Sequence, residues 1–100
     1  MGQQVRIPQA EIKGFCLRWK IAEMALFGSA VRGDFSADSD VDVLVTFAQD
    51  AGWDLYDLMD MQDELESIFG RKVDLVEKDG LRNPFRRKSI LEEARIIYGA

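Results

Sequence analysis

The chain has 100 residues, 47% of them hydrophobic, and its 13 basic and 18 acidic residues give a formal charge of −5. This length fits one domain, residues 1–100, with a modest core, and the acidic balance argues against direct binding to DNA or RNA backbones. The chain has no histidine and a single cysteine, Cys16. This composition excludes imidazole catalysis and an intrachain disulfide, and it favours a reducing, cytoplasmic compartment. No apolar run approaches the roughly 20 residues that a membrane-spanning helix needs.

The first part of the chain predicts a helix, a strand, a short helix and a loop. Pro8 suits a first helical position, and apolar residues follow it at helical spacing: Ile12, Phe15, Cys16 and Trp19. Residues 21–27 are a mostly apolar run that stops at Gly28, which predicts a buried strand. Ser29 can begin a short helix, and residues 34–39 are typical of a loop, with Asp34 and Asp38 as solvated acids.

The second part of the chain predicts two further strands and two helices. Residues 41–47 alternate as a strand, and Asp54 is the expected N-cap of a long helix that stops at Gly70. The expected apolar face of that helix consists of Leu55, Leu58, Met59, Leu65, Ile68 and Phe69. Residues 73–76 predict a third strand. Asn83 and Pro84 signal a last helix, which we expect to end at Gly99, with Ile90, Leu91, Ala94 and Ile97 on one face.

These elements predict a fold of the α/β (α+β) class, in the order α-β-α-β-α-β-α, around a small mixed three-stranded sheet. Side chains alternate along a strand, so Asp40 and Asp42 should point to one side. If the first two strands are antiparallel, Gly28 lies near these acids. If the second and third strands are parallel, with the long helix as their crossover, Asp74 falls beside them.

Three clustered carboxylates repel one another, and a bound cation removes that repulsion. Their hard oxygens suit two Mg²⁺ ions, with Mn²⁺ as an alternative. Such ions can bridge a triphosphate and polarise an attacking hydroxyl. Gly28 lets the backbone come close to phosphates, while amides of the short helix and the Ser29 hydroxyl can hold phosphate oxygens. The predicted reaction is in-line attack of a hydroxyl on an α-phosphate, with pyrophosphate leaving.

The spacing of these residues resembles that of a known family. The matching residues are Gly28-Ser29, then Asp40-Val41-Asp42 after ten intervening residues, and Asp74, with Leu26-Phe27 and Arg32-Gly33-Asp34 flanking the Gly-Ser pair. The chain resembles, over nearly its whole length, a minimal nucleotidyltransferase of the DNA polymerase beta-like superfamily. The resemblance implies the nucleotidyltransferase fold, metal binding by all three acids, and activation of the acceptor hydroxyl by Asp74. It also implies that Gly28 and Ser29 bind the triphosphate of ATP. Arg32 either pairs with a phosphate or forms a salt bridge with Asp34.

The resemblance also implies a partner. Larger relatives hold their acceptor with a second, helical domain, for which this chain has no room. In the minimal family that role falls to a small helical HEPN protein (higher eukaryotes and prokaryotes nucleotide-binding), an RNase toxin, and the antitoxin can transfer AMP to a tyrosine of it. The expected function is therefore that of an AMP-transferring antitoxin. Two alternatives stay open: an antitoxin that masks the toxin without catalysis, and nucleotidyl transfer to a small molecule.

Two surface clusters remain without an assigned role. Arg82, Arg86, Arg87 and Lys88 form either a solvated helix face or a contact for a partner or nucleotide. Trp53, Tyr56 and Met61 lie near or on the long helix, outside its expected apolar face, and are either a partner surface or peripheral packing.

Cys16 lies on the expected apolar face of the first helix, which predicts an inert position in the core.

Overall fold

A computed structural model describes residues 7–32 and 39–99. The helices are α1 (Gln9–Arg18), α2 (Ser29–Arg32), α3 (Leu55–Phe69) and α4 (Pro84–Glu93). The strands are β1 (Ile21–Phe27), β2 (Val41–Phe47), β3 (Val73–Glu77) and β4 (Arg95–Tyr98), and a 3₁₀ turn, Lys78–Gly80, follows β3. None of the helices in these two segments is long and apolar enough to cross a membrane. Most of the predicted loop, including Asp34 and Asp38, lies outside the described residues.

The sheet is mixed, with the strand order β3-β2-β1-β4. β1 runs antiparallel to β2, and β2 runs parallel to β3, with α3 as the crossover between them. Both pairings confirm the prediction from the sequence. They place the end of β1 and the beginnings of β2 and β3 at the same edge of the sheet.

The last element differs from the prediction. The expected helix to Gly99 is wrong, because α4 ends at Glu93 and residues 95–98 form a fourth strand, antiparallel to β1. The break falls at Ala94, whose φ of −62° and ψ of 140° are not helical. β-branched and aromatic side chains favour a pleated strand. Residues 95–98, Arg-Ile-Ile-Tyr, are of this kind and pair with the outer side of β1. The sheet therefore has four strands instead of three.

Apolar side chains cover both faces of the sheet. The larger core joins α1 and α3 to one face, with Phe15, Val43, Met61 and Leu65 among its fully buried members. Cys16 belongs to this core, as expected. The smaller core lies on the opposite face under α4, where Ile90 packs with Ala25, Phe27, Leu44 and Leu81. The sheet is thus a middle layer between α1 and α3 on one side and α4 on the other.

The ends of α3 follow its sequence signals. Asp54 accepts a hydrogen bond of 2.9 Å from the Asp57 amide, and Asp57 accepts one of 3.0 Å from the Asp54 amide. Such a capping box satisfies two amides that have no partner within the helix. At the other end Gly70 adopts a left-handed conformation with a φ of +72°, which costs glycine no steric strain.

The buried face of α3 is rotated from the one predicted. Leu55 and Met59 are 69% and 57% exposed, whereas Met61 is fully buried. Leu58, Ile68 and Phe69 pack against the core as expected. Met61 is therefore a core residue, and Tyr56, which is 77% exposed, lies on the surface. Trp53 is partly buried, and its indole N–H donates to the Trp19 carbonyl at 2.6 Å.

Candidate active site

The site begins at the turn that ends β1. Gly28 is buried and adopts a left-handed conformation with a φ of +70°. The preceding residue, Phe27, pairs with Asp42 across the β1–β2 ladder, which brings the Asp42 carboxylate against the Gly28 backbone. A Cβ atom added at Gly28 would overlap Asp42 Oδ2 and lie 3.0 Å from its Cγ. Both the backbone conformation and the closeness of Asp42 therefore require glycine here.

Asp42 also lies beside the third predicted acid. In the parallel β2–β3 ladder Asp42 is the register partner of Asp74, and neighbouring strands are about 4.8 Å apart. Asp42 is partly buried and Asp74 is exposed. The structure thus brings the Gly28 turn, Asp42 and Asp74 together in one row at the edge of the sheet, as the topology argument predicted.

Asp40 lies just outside that row. It precedes β2, which begins at Val41, and it is exposed. The segment before it is held near β3, since Arg71 donates from Nη1 to the Ser39 carbonyl at 3.4 Å and the Val41 amide donates to the Lys72 carbonyl at 2.9 Å. The approach to Asp40 is therefore fixed beside the start of β3.

The two registered acids occupy the α4 side of the sheet. Side chains alternate along β2, and Val41, Val43 and Val45 all belong to the core under α1 and α3. Asp42 consequently shares its face with Leu44, which packs in the smaller core beneath α4. The candidate site is the polar end of the face that α4 covers.

The donor set suits a hard divalent cation, because carboxylate oxygens are the ligands that Mg²⁺ takes in proteins. Within residues 7–32 and 39–99, however, no three acidic or cysteine side chains are close enough together to hold one metal ion. The register brings Asp42 and Asp74 side by side, but the three acids do not converge in this conformation. The chemistry of Asp40, Asp42 and Asp74 and their position at the strand ends suit Mg²⁺, but their side chains would have to move together to bind one ion.

The other predicted nucleotide-binding residues follow Gly28. Ser29 opens α2, and the Val31 amide donates to the Gly28 carbonyl at 3.1 Å. The first amides of a helix have no partner within it, so those of Ser29 and Ala30 are the ones suited to donate to a ligand. Arg32 ends α2, and its side chain lies outside the described part of the chain.

A fourth acid, Glu93, meets the turn, and the sequence prediction missed it. The Gly28 amide donates to Glu93 Oε1, between residues 65 positions apart in the chain. No signal in the sequence pointed to it, because Glu93 was expected inside a helix that runs to Gly99. Only the end of α4 at Glu93 places this acid in a last turn without a basic residue, where negative charge is unfavourable.

The basic cluster near α4 is mostly a solvated face. Arg82, Arg86 and Lys88 are exposed, and Lys88 lies 3.9 Å from Glu92, one helical turn further along. Arg87 has a structural role instead, since its Nη1 donates to the Lys78 carbonyl at 2.9 Å. This hydrogen bond links α4 to the turn that follows β3.

Comparison with known proteins agrees with this geometry. The family model described as "Nucleotidyltransferase domain" matches residues 10–97. A protein of Methanocaldococcus jannaschii with a provisional protein adenylyltransferase name is 37% identical over 81 residues, which are 81% of this chain and 79% of that one. Protein adenylyltransferase MntA of Thermococcus cleftensis is 38% identical over 81 residues, with 81% of this chain and 77% of that one covered. The chain belongs to the nucleotidyltransferase domain family.

Solved structures share the fold. A toxin–antitoxin complex with AMP-PNP contains a chain that is 21% identical, with a TM-score of 0.77 over 94% of this chain and 75% of that one. A complex of tri-AMPylated Shewanella oneidensis HEPN toxin with MNT antitoxin contains a match of 19% identity, with a TM-score of 0.67 over 92% of this chain and 70% of that one. These likenesses establish a nucleotidyltransferase fold.

Proposed function

We propose that this protein is an antitoxin that transfers AMP from Mg²⁺–ATP to a tyrosine hydroxyl of a small helical HEPN-family toxin. The observation that carries the proposal is the row formed by the Gly28 turn, Asp42 and Asp74 at one edge of the sheet. Relatives named protein adenylyltransferase and the neighbouring complex with an AMPylated HEPN toxin support the choice of reaction and partner.

The turn and the acids have separate roles: the turn contacts the triphosphate, and the acids bind the metal ions. The amides of Ser29 and Ala30 and the Ser29 hydroxyl hold oxygens of the triphosphate, and Gly28 keeps the backbone close enough for them to do so. Asp40, Asp42 and Asp74 are the residues that would hold Mg²⁺. Two such ions, when bound, neutralise phosphate charge and lower the pKa of the acceptor hydroxyl.

Asp74 has a second role at the acceptor. It is the exposed member of the registered pair and belongs to β3, the outermost strand on its side of the sheet. A hydroxyl that approaches from this edge meets Asp74 before Asp42. The hydroxyl oxygen forms a bond to the α-phosphorus, and the bond from that phosphorus to the bridging oxygen breaks. Pyrophosphate leaves, and the hydroxyl proton passes to the Asp74 carboxylate.

The acceptor comes from another protein. The neighbouring complex that contains a tri-AMPylated HEPN toxin supports a protein acceptor. A protein partner at the β3 edge can supply both the hydroxyl and its positioning, which in many enzymes accounts for a large part of the rate acceleration.

The test is the intact mass of the partner after incubation with this protein, ATP and Mg²⁺. We expect the partner to gain one AMP, and tryptic mapping to place it on a tyrosine. The double variant Asp40→Asn, Asp42→Asn should give no mass increase. Asp63→Asn, on the exposed surface of α3, makes the same chemical change away from the site and should leave transfer unchanged.

The same variants, assayed for neutralisation of the toxin, distinguish catalysis from masking. If the double variant binds the partner and no longer neutralises it, catalysis is required. An unmodified partner that both wild type and the double variant neutralise equally would overturn the proposal. Transfer of AMP to a small molecule in place of the partner would overturn the choice of acceptor.

A further inference from the structure

The amide of Gly28 is already occupied. Its N–H donates to Glu93 Oε1 in a partly buried contact. Gly28 therefore has two carboxylates beside it: Glu93 accepts from its amide, and Asp42 Oδ2 occupies the space that a Cβ atom would need. Both contacts act on the one residue that connects β1 to the proposed phosphate-binding amides of α2.

The pairing of β4 explains why Glu93 reaches this turn. β1 and β4 are antiparallel, with Leu26 opposite Arg95. Continuing this antiparallel register by two residues places Gly28 opposite Glu93. The end of α4 is fixed on the sheet as well, because the Ala94 amide donates to the Ile90 carbonyl at 2.8 Å and Ile90 is buried.

The negative charge of Glu93 is unfavourable at the C-terminal end of α4. The last turn of the helix carries two acids and no basic residue, and a negative charge there interacts unfavourably with the helix dipole. A hydrogen bond from an amide to a carboxylate is roughly twice as strong as one between neutral groups. The contact with Gly28 thus offsets the unfavourable location of Glu93.

We propose that Glu93 is a positioning residue for the nucleotide-binding turn, an inference that rests on the proposed function. Glu93 fixes the peptide group between Phe27 and Gly28, and this sets the direction of the amides that follow. Because the Gly28 amide is taken, contact with the triphosphate falls to the amides of Ser29 and Ala30. Loss of the Glu93 carboxylate should therefore weaken nucleotide binding even though Glu93 does not touch the nucleotide.

The experiment compares Glu93→Ala and Glu93→Gln with Glu92→Ala. The last variant removes the same charge from the next residue, which is exposed and contacts Lys88 instead of Gly28. Glutamine keeps an oxygen that can accept from the Gly28 amide, so it tests the hydrogen bond separately from the charge. Circular dichroism and thermal unfolding establish that each variant is folded.

Two measurements are made on the purified protein. Amide hydrogen exchange by NMR, without nucleotide, should show loss of protection at Gly28 in Glu93→Ala and retention in Glu93→Gln. Calorimetry with Mg²⁺ and a non-hydrolysable ATP analogue should show binding weakened about tenfold or more in Glu93→Ala, the scale of one lost hydrogen bond to a charged group. Glu93→Gln should bind within roughly threefold of wild type, and Glu92→Ala should match wild type.

A kinetic comparison completes the test. With the partner as acceptor, Glu93→Ala should raise the KM for ATP more than it lowers kcat, because the turn binds the nucleotide before and during transfer. The affinity for the partner should not change. This difference separates loss of positioning from general destabilisation, which would reduce the active fraction and leave KM unaltered.

Three other results would count against the proposed function or against the positioning role of Glu93. If wild type binds no Mg²⁺–nucleotide, the proposed function fails. If wild type binds and Glu93→Ala binds equally well with Gly28 unprotected, the positioning role is refuted while the proposed function stands. If Glu93→Ala and Glu93→Gln both bind more tightly than wild type, Glu93 obstructs the phosphate, and the inference is overturned.

Discussion

Gly28→Ala is the sharpest single test of the site, because the structure predicts separate effects on stability and on activity. The added methyl group meets two obstacles: a left-handed backbone with a φ of +70° and the carboxylate of Asp42. A residue with a Cβ in that conformation costs about 1–2 kcal/mol. In a domain of this size each kcal/mol corresponds to a fall in Tm of about 4–8 °C.

The effect on activity is worked from the contact with Asp42. The new Cβ would overlap Oδ2 and lie 3.0 Å from Cγ, whereas non-bonded carbon atoms prefer about 3.5–4.0 Å. The carboxylate end of Asp42 can rotate away, so the fold should survive, but its oxygens must move by about 1 Å or more. A displacement of that size can reduce the rate of a positioned reaction about 10²-fold.

Gly70→Ala is a matched control. Gly70 has almost the same conformation, with a φ of +72°, and an added Cβ there would meet nothing within 4 Å beyond its chain neighbours. Both variants should lose the stability that the left-handed conformation costs in urea unfolding, with a further loss in Gly28→Ala from the contact with Asp42. Only Gly28→Ala should lose AMP transfer, measured as modified partner per unit time. Equal transfer by Gly28→Ala and wild type, or equal loss in the two variants, would refute the assignment of Asp42 to the site.

Three further predictions concern the acid pair, the core thiol and the α3 cap. Asp74→Asn should bind Mg²⁺–ATP within roughly tenfold of wild type by calorimetry while transfer nearly stops; lost binding with retained transfer would contradict the role of Asp74. Burial raises the pKa of the Cys16 thiol from 9.0 to about 12, so the folded state retains a proton that the unfolded chain releases above about pH 9. The contribution of the protonated thiol to the free energy of unfolding is complete below about pH 9 and is lost as the pH rises towards 12. From about pH 8 to 10 wild type should therefore lose about 1.4 kcal/mol relative to Cys16→Ala in denaturant unfolding, and parallel pH curves would contradict the shift. Asp54→Ala should lower the free energy of unfolding by about 1 kcal/mol without changing transfer, and reduced transfer would indicate that the cap is coupled to the site.

The sequence predicted the elements that are specified by neighbouring residues. Gly28 ended β1, and Asp54 and Gly70 bounded α3, because each signal acts within one turn of the chain. The parallel pairing of β2 and β3 followed from the general rule for helix crossovers. That rule was enough to place Asp74 beside Asp42 before any coordinates were known.

The two errors have one physical origin. Residues 95–98 satisfy a helical spacing with α4, and only the free edge of β1, about 70 residues earlier in the sequence, makes them a strand. Likewise Leu55 and Met59 have the same spacing as Met61 and Leu65, and only the position of the sheet decides which pair is buried. Missing β4 also hid Glu93, since its contact with Gly28 depends on the β1–β4 register.

The contact between Gly28 and Glu93 also has a consequence during synthesis on the ribosome. The two residues are 65 positions apart, and translation proceeds at about 5–20 residues per second. The turn is therefore made roughly 3–13 s before the residue that holds it. During that interval β1 has no β4 to pair with, and α4 is not yet packed on the sheet face that carries Asp42. A nascent chain can thus contain the motif residues well before Glu93 can hold the Gly28 turn in the arrangement described above.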